Sequence, residues 1–205
     1  MANDKVQSPI IHVSPASPHK GSGVAVDTPK WYIAECKPTK ERTLRTMLQN
    51  ANYDACLLSR TETVVYKSRN RRQVEHIILG GRIFIRTEEN QLMAILLEYP
   101  SIYRFIINKL ASDMTQYKRV FSYVPDDEMA RLQYLLRNAP NPVQVTTEEL
   151  TLGQKVEVMR GPLAGFKGDF AKVGSSSCIV VKMEMGTRHY IYTEIALEDI
   201  QPILE

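Results

Sequence analysis

In the first two thirds of the chain, segments whose apolar residues have the spacing of a strand alternate with segments whose apolar residues have the spacing of a helix. The run Trp31 to Cys36 is compact and apolar, which is typical of a buried strand. Apolar residues at positions 44, 47, 48 and 51 then follow the spacing of a helix that packs one side on a sheet. A second helix is predicted over Glu88 to Tyr99, and a third begins at the acidic residues 126–128. The order of these elements predicts an α+β sandwich, an antiparallel sheet with helices, over residues 30–137.

The segment from Ile77 to Arg86 predicts a strand with two different faces. Its period-two alternation places two isoleucines on one face and Arg82, Phe84 and Arg86 on the other. The isoleucines belong in the core. An aromatic side chain between two arginines is expected to be at least partly accessible, as on partner-binding surfaces. The alternative is that a helix covers Phe84 while the arginines extend their charged ends to water.

The last third of the chain changes to short strand-like runs rich in β-branched residues. Residues 138–149 include Pro140 and Pro142 and predict a linker. Five short runs then follow within residues 156–200, with Gly174 and Gly186 marking turns. This arrangement predicts a small β-barrel over residues 150–205.

Two of these runs are joined by the nine-residue turn Arg160 to Gly168. The glycines allow positive φ and tight turning, Pro162 fixes one φ, and Phe166 can fold back to plug the end of the barrel. The turn and its flanks resemble the KOW motif of small SH3-like barrels, whose matching residues here are Arg160, Gly161, Pro162, Gly165, Phe166 and Gly168. A plain barrel turn with no partner is the alternative interpretation.

The net charge of +3 is unevenly distributed along the chain. Residues 30–137 hold 18 Lys and Arg against 12 Asp and Glu, a net of +6, whereas residues 150–205 hold 6 against 7, a net of −1. The surplus is concentrated at the tip of a predicted hairpin, in Lys67, Arg69, Arg71 and Arg72. These residues are candidates for contacting nucleic-acid phosphates, and a solvated loop is the alternative.

Other chemistry has little support in the sequence. The three cysteines have no CxxC spacing, so neither a disulfide framework nor a metal site is expected, and reduced thiols fit a cytoplasmic protein. Two of the four histidines lie in the tail, and His76 and His189 lie in strand-like runs without a nearby nucleophile or carboxylate arrangement, so we expect neither an enzyme nor a cofactor. Residues 1–29 carry four prolines and predict a disordered tail. No apolar run is long enough to cross a bilayer, so no membrane partner is expected.

The motifs follow one another in a fixed order: Trp31-Tyr32, the helix, the basic hairpin, the strand Gly80-Gly81-Arg82-Ile83-Phe84, the linker and the KOW turn. In this order they resemble the NusG family of transcription elongation and antitermination factors. The resemblance covers about residues 30–202. It implies a NusG-type α/β sandwich joined to a C-terminal SH3-like KOW β-barrel. It also implies that the N-terminal domain binds RNA polymerase through Leu79, Arg82 and Phe84 and suppresses pausing.

One motif departs from the family pattern. Family members usually read Phe-Pro-Gly-Tyr where this chain has Leu79-Gly80-Gly81-Arg82. With the N-terminal tail, this departure resembles specialised family members of the RfaH and UpxY kind, which act on particular operons, such as those for polysaccharide biosynthesis. Such members are recruited through DNA or nascent RNA, and the KOW domain of the family recruits a ribosomal protein or Rho.

A rival interpretation is a ribosome-associated or general RNA-binding KOW protein without polymerase contact. It predicts a basic barrel, whereas the positive charge lies in the first domain. Charge therefore favours the transcription interpretation, while antitermination and Rho-assisted termination stay open, as does a change of fold in the KOW domain.

Overall fold

Strands and helices follow the two sequence periodicities closely in the computed structural model, which describes residues 28–65, 71–114 and 119–203. Most of the predicted tail and the hairpin-tip residues Lys67 and Arg69 lie outside these ranges. The elements of the N-terminal part are β1 Lys30–Cys36, α1 Glu41–Asn50, β2 Asp54–Cys56, β3 Ser59–Val65, β4 Arg71–Ile77, β5 Arg82–Thr87, α2 Leu92–Glu98, β6 Ile102–Phe105, α3 Lys109–Met114, β7 Tyr123–Val124 and α4 Asp126–Asn138. Those of the C-terminal part are β8 Val143–Thr146, β9 Leu152–Val158, β10 Lys167–Val173, β11 Ser176–Met185, β12 Thr187–Glu194 and β13 Ile200–Pro202.

The first sheet has the order β2-β5-β1-β6, with β7 also paired to β1, and the pairs that involve β1 and β5 are antiparallel. In its centre Ile33 lies opposite Phe84, and Tyr32 lies opposite Ile85. Strands β3 and β4 form a separate antiparallel hairpin, in which Val65 is paired with Arg71. The predicted antiparallel sheet with helices and the predicted hairpin are both confirmed.

One face of the first sheet is covered by α1 and α2. We call it the front face, and it carries Tyr32, Ala34, Ile83 and Ile85. These side chains are buried together with apolar residues of the two helices: Leu44, Leu48, Leu92 and Ile95. The apolar stripes of the two helices therefore form this core as their spacing predicts.

The opposite face, which we call the back face, carries Ile33 and Phe84 and is covered by α4. The helix buries its own apolar stripe there: Met129, Leu132, Leu135 and Leu136. The same cluster continues without a break into the second sheet, through Val158 and Ile179 among others. Helix α4 therefore shares a hydrophobic core with both sheets.

The second sheet is antiparallel and has the order β13-β9-β10-β11-β12-β8. Its strand β8 lies within the predicted linker 138–149 and pairs with β12. The turns at Gly174 and Gly186 have φ of +61° and +79°, as tight hairpin turns require. The predicted short strands of the C-terminal region therefore form one antiparallel sheet. The pairings of the described strands run from β13 to β8 as an open path, so closure of this sheet into the predicted barrel is not shown.

Candidate functional site

Phe84 is completely buried, at 0% exposure. It faces α4 on the back face, between Ile33 of β1 and Cys56 of β2. The expectation that this ring is partly accessible is therefore wrong, and the alternative of a covering helix is what the fold contains. The period-two assignment of faces was correct, but it does not reveal what packs on each face.

Arg82, at the end of the same strand, lies in a charged cluster at the edge of the back face. Its Nη1 donates to Oε1 of Glu35 at 2.7 Å, and Nε of Arg104 donates to Oε2 of the same carboxylate at 2.6 Å. Burial by itself raises the pKa of Glu35, but the hydrogen bond from Arg104 and the charge of Arg82 lower it overall. Two arginines share one carboxylate, which leaves the cluster with positive charge.

Leu79 is partly buried against the back-face core. It lies in the turn between β4 and β5, three residues before β5 begins at Arg82. The structure therefore brings Leu79, Arg82 and Phe84 to one side of the sheet, with only the first two partly exposed.

Arg86 connects the back face to the start of α4. Its Nε and Nη2 each donate to a carboxylate oxygen of Asp126 at 3.0 Å. The hydrogen bonds from Arg86 lower the pKa of Asp126. Because Asp126 lies in the first turn of α4, its negative charge also complements the helix dipole.

The basic hairpin is held against α1 through Glu75. Arg45 Nη1 donates to Oε1 of Glu75 at 2.5 Å, Arg42 Nε donates to Oε2 at 3.0 Å, and Ser59 Oγ donates to Oε1 at 2.6 Å. Hydrogen bonding from Arg45, with further contributions from Ser59 and Arg42, lowers the pKa of Glu75 to about 2. The carboxylate therefore stays charged at any ordinary pH.

The two hairpin-tip residues that the structure describes, Arg71 and Arg72, are exposed at the start of β4. They pair across the hairpin with Val65 and Val64. The hairpin thus presents both cations to solvent, on a ribbon whose base is fixed by Glu75.

The glycine-rich turn has the geometry that its sequence predicts. Gly161 and Gly165 have φ of +79° and +82°. Gly165 N donates to the carbonyl of Val158 at 2.7 Å, which closes the turn onto β9. A Cβ on Gly168 would lie 2.8 Å from Cγ1 of Ile179. Only glycine therefore fits at this position, where β10 lies beside its paired strand β11.

Phe166 packs against α4. Its ring is stacked on that of Tyr134, with centroids 6.1 Å apart and planes at 6°, and the guanidinium of Arg131 lies 5.9 Å from the centroid of Phe166. Nη2 of Arg131 also donates to the carbonyl of Lys167 at 2.6 Å. The ring is buried as expected, but against a helix of the N-terminal part.

Sequence reasoning missed the residues that organise these surfaces. The pairs of Glu35 with Arg82, Glu75 with Arg45 and Tyr134 with Phe166 each join residues about 30 or more positions apart, and no periodic pattern links them. Tyr134 lies outside the apolar stripe of α4, so its position gives no signal of the contact with Phe166.

The described residues hold no group of three or more His, Cys, Asp or Glu side chains placed to bind a metal ion. None of the helices described is long and apolar enough to cross a membrane.

Comparison with known proteins relates the chain to one family. The model of the family described as "NusG: Transcription termination factor nusG" matches residues 29–133, about half of the chain. This range corresponds to β1 through most of α4. No curated protein matches the chain with significance.

Solved structures similar to this chain include the one described as "Domain interaction in Thermotoga maritima NusG". It is 14% identical, has a TM-score of 0.42, and the match covers 86% of this chain and 98% of that one. Another is conformation A of the MjSpt4:Spt5 complex, at 12% identity and a TM-score of 0.27, covering 85% of this chain and 99% of that one.

Proposed function

The chain belongs to the NusG family of transcription factors, and from this premise we propose that it is an elongation and antitermination regulator that binds RNA polymerase through its N-terminal part. The observation that carries the proposal is the match of the family model to 29–133, the segment that forms the first sheet and its helices. Members of this family are non-enzymatic factors that act with RNA polymerase. The proposed result is reduced pausing or termination.

The proposed polymerase contact is the side of the sheet that carries Leu79 and Arg82. Both side chains are partly exposed, and the Arg82–Glu35–Arg104 cluster beside them keeps net positive charge. Phe84 supports this surface from inside the core, where α4 covers it.

The basic hairpin is the proposed contact to DNA or nascent RNA in the elongation complex. Arg71 and Arg72 are exposed, and Lys67 and Arg69 precede them in the sequence. Phosphate contacts of this kind need charge and access rather than base-specific geometry. Recruitment through such contacts fits a specialised family member that acts in the cytoplasm on particular operons, including those for polysaccharide biosynthesis.

For the C-terminal part we propose an SH3-like KOW domain over residues 150–205, whose sheet is extended by β8 from the preceding segment 138–149. The glycine conformations of the turn Arg160 to Gly168 and the antiparallel order of the second sheet support this assignment. A ribosomal protein or Rho is the proposed partner of this domain.

Binding of the purified full-length chain to RNA polymerase tests the proposal. The double substitution Leu79→Ser and Arg82→Gln should weaken binding about tenfold, because truncating a central contact typically costs more than 1 kcal/mol. Lys172→Gln, at an exposed position of β10, is the matched control and should bind as the wild type. Equal binding by the double variant would remove the proposed surface. Absence of polymerase binding by the wild type, together with capture of ribosomal proteins, would favour the ribosome-associated alternative.

A further inference from the structure

A groove of about 890 Å³ lies between α4 and the glycine-rich turn. Arg131 and Tyr134 line it from the helix, Phe166 lines it from the glycine-rich turn, and Lys155 and Lys167 line it from the second sheet. Its volume falls in the range of about 300–1,000 Å³ that is common for ligand sites. Because its walls come from both parts of the chain, a ligand in this groove contacts both.

The charge of the groove favours an anionic ligand. Its lining, as far as the structure describes it, contains the cations Arg131, Lys155 and Lys167 and a single carboxylate, that of Asp169, which lies opposite Lys155 on the neighbouring strand and offsets part of its charge. The hydrogen bond from Arg131 goes to a neutral carbonyl, which orients the guanidinium without cancelling its charge. Lys167 pairs with Glu157 at 3.5 Å, but both side chains are more than a third exposed, so the pair is weak.

The groove also offers an aromatic surface. Tyr134 is 41% exposed, although one side of its ring is supported by the buried ring of Phe166. The stack is fixed further by Arg131 next to Phe166. An exposed aromatic ring on a rigid support, flanked by cations, is the arrangement on which successive nucleic-acid bases stack.

We propose that this groove binds single-stranded nucleic acid, with phosphates held by Arg131, Lys155 and Lys167 and a base stacked on Tyr134. Duplex nucleic acid meets the charge requirement but hides the faces of its bases. The site is separate from the basic hairpin and does not depend on polymerase binding.

Fluorescence anisotropy of the full-length chain with labelled single-stranded RNA, single-stranded DNA and a duplex of the same sequence tests the charge contribution. The double substitution Lys155→Gln and Lys167→Gln should reduce affinity for both single strands. It should also reduce the slope of log K against log salt by about 1.4, which is the effect of losing two phosphate contacts. The matched control is Lys172→Gln with Lys182→Gln, which removes the same charge from exposed positions of the same sheet outside the groove.

The stacking contribution is tested by Tyr134→Leu, which should weaken single-strand binding about fivefold to 150-fold. Tyr134→Phe keeps the ring and should bind as the wild type. Tyr103→Leu changes an exposed tyrosine on β6, outside the groove, and should have no effect. Equal loss in Tyr134→Leu and Tyr103→Leu would overturn the stacking contact.

Two further outcomes overturn the proposal as a whole. One is equal affinity loss in the groove pair and in the Lys172 and Lys182 control pair. The other is loss of single-strand binding on Arg71→Gln with Arg72→Gln while the groove pair binds as the wild type, which would leave the hairpin as the binding site. Single-strand affinity no greater than duplex affinity would contradict base stacking.

Discussion

The front and back faces of the first sheet are equally well buried, but they are covered in different ways. The front face, with Ile83 and Ile85, is covered by α1 and α2, and both helices are close in sequence to the strands that they cover. The back face, with Phe84, is closed by α4, and its core continues into the second sheet. The front face is therefore a local structure of the N-terminal part, whereas the back face depends on the arrangement of the whole chain.

The largest expected effect comes from removing the ring at the centre of the back face. Phe84→Ala should lower the free energy of unfolding by about 3–5 kcal/mol, because it deletes a fully buried aromatic side chain and leaves a cavity. Urea denaturation followed by circular dichroism measures this loss. Tyr103→Ala, at an exposed aromatic position, is the control and should change stability by no more than about 0.5 kcal/mol. Similar values for the two variants would contradict the burial of Phe84.

A smaller effect is expected where the second sheet meets the first. A Cβ on Gly186 would lie 2.6 Å from Cγ2 of Ile106, a residue of the back-face core, whereas a Cβ on Gly174 would meet nothing within 4 Å. Both glycines have positive φ, so Gly174→Ala measures the backbone strain alone. Gly186→Ala should cost about 1–3 kcal/mol more, because the new methyl group clashes with Ile106.

Thermal denaturation of the two glycine variants measures the difference. The double variant Gly186→Ala with Ile106→Ala should lose less stability than the sum of the single variants, since the clash is then relieved. Equal losses at positions 174 and 186 would show that the two parts of the chain do not meet at this turn.

The smallest effect concerns the link between α1 and the hairpin. The pKa of Glu75 is lowered from its ordinary value of 4.5 to about 2, so its ion pairs stabilise the fold above pH 4.5. That contribution is lost as the pH falls from about 4.5 towards 2. Glu75→Gln should cost about 1–2 kcal/mol at neutral pH, after allowance for partial exposure of the cluster.

Melting temperatures of the wild type and Glu75→Gln, measured against pH, test this assignment. The difference between them should be constant at neutral pH and should disappear near pH 2. A difference that does not depend on pH would mean that Glu75 acts through packing rather than charge.

Much of the front face could be predicted from the sequence, because it depends on local periodicity. The spacing of Leu44 and Leu48 defines the buried side of α1, and the alternation in β5 defines which side chains point towards it. The short helix α3 was not predicted, because six residues are too few to establish a helical period. Strand β8 was not predicted, because a short strand near two prolines has the composition of a linker.

The back face could be predicted only in part. The arginines on either side of Phe84 suggested an exposed surface. Each of them instead forms an ion pair near an end of the strand, with Glu35 and with Asp126, and the ring between them is buried. The contact of Phe166 with Tyr134 could not be predicted from the sequence. The glycine-rich turn already accounts for the position of Phe166, and the helix α4 already accounts for that of Tyr134.

The three cysteines lie in three different packing regions. Cys36 belongs to the front-face core, Cys56 lies beside Met129 and Gln133 of α4, and Cys178 is buried in the second sheet. Burial raises the pKa of Cys36 and Cys56 to about 11 and also raises that of Cys178. Each thiol is therefore protonated, and the thiols of Cys36 and Cys178 are shielded until their own regions open, whereas Cys56 is only partly buried. The two buried thiols are thus chemical labels of the front-face core and of the second sheet, and the order in which they become alkylated records the order in which these two regions open.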